Sequence, residues 1–122
     1  MKPMKLPIIL LALCAAPGLV NLAAAADAEA GLLAIKALGN VNGQALACSQ
    51  MQSAARAKSL MLAHAPKTQR FGDAYEEATR AAYLAQTSAP GTCPDALRLV
   101  DQLNRLALQL DAALPVAAPQ SK

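Results

Sequence analysis

The sequence predicts an all-α protein: a small helical bundle of three long helices and a shorter N-terminal one, stapled by one disulfide. Three observations lead there. Apolar residues between Gln69 and Leu114 recur at three- and four-residue spacings, the period of one helix face. No stretch shows the two-residue alternation of a half-buried strand. Two cysteines, Cys48 and Cys93, remain once the N-terminal segment is set aside.

That segment reads as a cleavable secretory signal over 1–26. Lys2 and Lys5 precede an almost wholly apolar run, Leu6–Val20, and Ala23–Ala26 supplies the small residues of a peptidase site. Pro7 and Pro17 interrupt the run and no stop-transfer charge comes after it, which argues against a retained anchor. No later run approaches the ~18 apolar residues needed to span a bilayer. The expected mature chain is one domain, helical over 27–114, with a disordered tail over 115–122. Its expected location is periplasmic or secreted.

Export also removes Cys14. In an oxidising compartment Cys48 and Cys93 most simply pair. The enclosed loop of about 45 residues is worth roughly 4 kcal/mol in the chain-entropy model. That is a large share of the stability of so small a domain.

The first helix is expected over Asp27–Leu38. Asp27 and Glu29 suit its N-terminus, and Leu32, Leu33, Ile35 and Leu38 form a broad apolar side. The second, central helix occupies the stretch Leu38–Pro66, with Cys48 near its middle. On a helical wheel Met51, Ala55 and Leu62 fall beside Cys48, widened by Ala47, Ala54 and Met61 into a core-facing arc. Ser49, Gln52, Ser53 and Arg56 fall on the side expected to meet water. Pro66 ends the helix.

Upstream, Gly39, Gly43 and Ala47 recur every four residues. They make either a small-residue ridge that lets a second backbone approach, or a break near Gly39-Asn40 with Asn42 capping a new helix. Each glycine costs about 1 kcal/mol inside a helix, which favours the break.

The third helix runs from about Gln69 to Gln86, with Thr68 as its cap. Phe71, Ala74, Tyr75, Ala78, Ala82 and Ala85 share one face, and Asp73, Glu76, Glu77 and Arg80 the other. So much alanine on a buried face implies close helix approach. Thr87–Pro94 is a connector of turn formers, with Pro94 at the first position of the last helix and Cys93 or Thr92 at its cap. That helix runs from about Asp95 to Leu114. Leu99, Leu103, Leu106 and Leu110 repeat at 4-3-4 spacing, while Arg98, Asp101 and Arg105 line the outer side.

Candidate chemistry is sparse. The serines lack a G-x-S-x-G context and His64 is the single histidine. No P-loop, G-x-G-x-x-G or C-x-x-C-H occurs. No catalytic residue and no cofactor are expected. Met61 and His64, one turn apart, are the alternative metal pair, in which copper(I) would favour thioether. Aromatics are nearly absent (Phe71, Tyr75, Tyr83), so a base-stacking platform and nucleic acid are not expected. The chain's net charge is +3. Removing Lys2 and Lys5 leaves nine basic against eight acidic residues, which is no argument for a polyanion. Arg56, Lys67 and Arg70 form an expected electropositive patch for an anionic partner.

The expected function is therefore non-catalytic binding of another cell-envelope protein, as adaptor, accessory subunit, inhibitor or chaperone. The alternative is a periplasmic carrier of copper or a small ligand. In length, helicity and cysteine separation the chain resembles small two-cysteine periplasmic stress chaperones, and no motif carries over. The sequence names neither the partner nor an oligomeric state.

Overall fold

The structure, a computed structural model, describes residues 3–4 and 18–116, with side chains in the first helix described from Asp27. The expected leader therefore falls mostly outside the described residues, as does 117–122 of the tail. Four α-helices succeed one another: α1 Gly18–Ala47, α2 Met51–His64, α3 Gln69–Thr87 and α4 Ala96–Ala113. A single 3₁₀ turn, Pro90–Thr92, joins α3 to α4. The expected all-α, disulfide-stapled bundle is what forms. Among the described residues no helix is long and apolar enough to cross a membrane.

The division between the first two helices differs from expectation. α1 runs unbroken through Gly39-Asn40, and the ridge reading of Gly39 and Gly43 is the correct one. A Cβ at Gly39 would lie 2.6 Å from the Tyr75 carbonyl oxygen and 2.9 Å from Ala78 Cβ. One at Gly43 would collide with the Thr79 carbonyl oxygen and lie 2.8 Å from Ala82 Cβ. The glycines therefore let the α1 and α3 backbones approach to near contact, and dispersion along that seam offsets their poor helix propensity. Asn42, expected as a cap, is buried in the seam and donates from Nδ2 to Thr79 Oγ1 at 3.2 Å.

The chain instead breaks at Cys48–Gln50. Ser49 adopts φ 58°, the left-handed conformation that ends many helices. Ser49 N–H donates to Leu46 O and Gln50 N–H to Ala45 O, the paired bonds of a Schellman cap. This turn resets the helical phase of α2. A wheel centred on Cys48 therefore misassigns its faces. Ser53, Ala54 and Ala57 are buried, whereas Met51 is 58 % and Leu62 59 % exposed.

α1 is the hub. α3 packs along it at the glycine seam, α2 and α4 pack on it elsewhere, and α2 also meets α4. Ile35 and Leu38 of α1 and Leu99, Leu103 and Leu110 of α4 are the largest fully buried side chains. The leucine stripe of α4 thus faces inward as its spacing requires. Leu33 and Ala85, both expected in the core, are exposed. α4 begins later than expected: Asp95, not Thr92 or Cys93, is its N-cap, and Asp95 Oδ1 accepts from Arg98 N–H at 2.8 Å. A carboxylate at that place satisfies an otherwise orphan donor, which Pro94 and a bonded cysteine cannot. Thr68 does stand at the N-cap of α3, without a side-chain bond.

Candidate functional site

The disulfide joins Cys48 to Cys93, with Cα atoms 5.8 Å apart. It links two turns, α1–α2 and α3–α4, rather than the middle of a helix to the start of another. Gln86, buried at the end of α3, donates from Nε2 to Thr92 Oγ1 at 3.2 Å and braces the Cys93 side.

His64 is the last residue of α2. It is buried, and its Nδ1–H donates to the Leu114 carbonyl at 2.7 Å. Nε2 lies 3.6 Å from Asp111 Oδ1. The ring thus ties the end of α2 to the end of α4, with one nitrogen already committed and Met61 packed against the core. Among the described residues no cluster of three or more histidine, cysteine or acidic side chains converges.

The expected basic patch is spread out. Arg56 sits in the second turn of α2, half-buried. Lys67 lies beyond the end of that helix, and its Nζ donates to the Leu62 carbonyl at 2.7 Å. Arg70 pairs with Glu29 of α1 at 3.6 Å, both side chains well exposed. Two of the three cations are therefore engaged within the chain, though exposed pairs of this kind hold weakly.

Concave surface lies elsewhere. α3 tracks the glycine seam of α1 and makes no extended contact with α4, so a groove of about 710 Å³ opens between them over the outer side of α1. Val41, Ala78 and Leu106 form its apolar base. Lys36 and Arg105, its two charged residues, are both cations. Three carboxamides, Asn40, Gln102 and Gln109, complete the walls. Gln102 Oε1 is fully buried yet has no hydrogen-bond partner among the described residues. The polar wall was visible in the sequence: Arg98, Gln102, Arg105 and Gln109 repeat the 4-3-4 spacing of the leucine stripe, shifted by one residue. What the sequence lacked was any sign that the neighbouring helix stands away from it.

A smaller groove of about 380 Å³ lies on the other side of α3, with Tyr75, Tyr83 and Leu46 along it. The Tyr75 hydroxyl is buried without a partner among the described residues, and burial pushes its pKa up to about 12. Comparison with family models, with curated proteins and with solved structures finds no match to this chain.

Proposed function

We propose that this is an exported, non-catalytic binding protein of the periplasm or extracellular space that engages another cell-envelope protein. The observation that carries the reading is the groove between α3 and α4. It combines an apolar base, two cations and three carboxamides, one with a stranded acceptor. Recognition sites are built this way, with apolar contact area and a few fixed polar groups. The disulfide is compatible with an oxidising, exported location and supports that part of the reading. Adaptor, accessory subunit, inhibitor and chaperone all fit such a surface, and Arg56, Lys67 and Arg70 offer a second contact region.

The test is site-specific photo-crosslinking in the envelope from Ala37, at the groove, and from Arg56. One partner captured in equal stoichiometry, and lost on charge reversal at the contacting surface, supports the proposal. A purified sample carrying stoichiometric metal or a small molecule, with no polypeptide adduct from either position, would replace it with the carrier reading.

A further inference from the structure

We propose that the groove between α3 and α4 receives an extended acidic segment of a polypeptide, its carboxylates meeting Lys36 and Arg105 and one backbone carbonyl accepting from Gln102 Nε2. This rests on the partner-binding reading and names its site and the chemistry of its ligand.

Gln102, in the groove wall, is the starting point. Its Oε1 is buried without a partner among the described residues, which leaves the amide Nε2 as the end it offers to the groove. A buried polar group so placed costs about 1–3 kcal/mol. A ligand in the groove cannot reach that oxygen, so the bond a main chain can make here runs from Gln102 Nε2 to a peptide carbonyl. Carboxamides carry both donors and an acceptor, which matches the alternating N–H and C=O of an extended main chain. Gln102 and Gln109 are seven residues apart on α4, roughly 10 Å along the helix axis. An extended chain covers that distance in about three residues. Asn40 faces them from α1, one turn beyond Lys36.

The charge selects an acid. Lys36 has no ion-pair partner among the described residues. Arg105 meets Asp101 at 2.7 Å, but both side chains are about two-thirds exposed, and the guanidinium has five donors to share. Val41, Ala78 and Leu106 give one apolar side chain of the segment a seat. A polypeptide fits better than a small organic acid because the rim residues Lys36, Asn40, Arg105 and Gln109 are exposed, leaving the trough open along its length.

The experiment pans the oxidised full chain against a random nonapeptide phage library and measures the recovered peptides by fluorescence anisotropy. Expected are peptides carrying Asp or Glu near an apolar residue, weakened at least tenfold by Lys36→Glu with Arg105→Glu. Neutral Lys36→Gln with Arg105→Gln gives an intermediate loss, and circular dichroism checks that each variant folds. Gln102→Met supplies a signature that a structural role would not: melting temperature rises as the stranded acceptor disappears, while peptide affinity falls. Recovery of no peptide, of peptides without acid enrichment, or of binding indifferent to the cation variants overturns the inference. So does binding of laurate alone. If partner crosslinking survives Lys36→Glu with Arg105→Glu but fails on reversal of Arg56, Lys67 and Arg70, the groove assignment falls while the partner-binding reading stands.

Discussion

Replacing Gly39 by alanine separates the two accounts of the first helix. In an isolated helix the change stabilises by about 1 kcal/mol, because alanine is the better helix former. Here the new Cβ meets Tyr75 O at 2.6 Å, Ala78 Cβ at 2.9 Å and Thr79 N at 3.3 Å. Ordinary contact begins at 3.4 Å, so α1 and α3 must part by about 0.8 Å. Two of the three atoms are backbone and cannot swing aside. Overpacking of this kind costs about 1–3 kcal/mol, so the net effect of Gly39→Ala is a loss of up to about 2 kcal/mol. Gly72 of α3 is the control, since a Cβ there meets nothing within 4 Å. Gly72→Ala therefore stabilises by about 1 kcal/mol. At roughly 4–8 °C per kcal/mol for a domain of this size, the two variants differ in melting temperature by at least several degrees. Thermal melts monitored by far-ultraviolet circular dichroism on the oxidised protein read the difference directly. If Gly39→Ala melts at or above Gly72→Ala, the seam is not closely packed and a break at Gly39-Asn40 becomes the better account.

The geometry gives three further expected outcomes. Ser49 holds a left-handed conformation that costs a side-chain-bearing residue about 1–2 kcal/mol; Ser49→Gly, after its larger unfolded-state entropy is subtracted, should raise stability by up to about 1 kcal/mol in urea titration, and a decrease would refute the cap assignment. Reduction, or Cys48→Ser with Cys93→Ser, should remove about 4 kcal/mol, visible as a large fall in the denaturation midpoint; an unchanged midpoint would show that the link contributes nothing to folding. Tyr75 remains protonated in the fold up to about pH 12, whereas the unfolded chain ionises near 10. Stability from this group is thus complete below pH 10 and declines as pH rises towards 12. Tyr75→Phe should flatten that decline and be neutral or slightly stabilising at pH 7, since it deletes an unpartnered hydroxyl; an identical alkaline profile in the variant would count against the buried phenol.

Periodicity and composition alone determined the helical class, the inward leucine stripe of α4, the span of α3 and the pairing of Cys48 with Cys93. These are local or follow by elimination: one helix face repeats every three to four residues, and with Cys14 assigned to the expected leader the other two thiols have one way to pair. Tertiary structure decided the rest. Whether Gly39 and Gly43 bend a helix or pack one depends on what lies opposite, and Ala78 and Ala82 are nearly forty residues away. The buried face of α2 is set by a turn at Ser49 that shifts the wheel, and no spacing within α2 records that shift. His64 can be buried because a carbonyl fifty residues later accepts a hydrogen bond from its ring N–H. The groove exists because α3 is drawn onto α1 at the glycine seam and stands clear of α4, a matter of distance between helices that no single helix encodes.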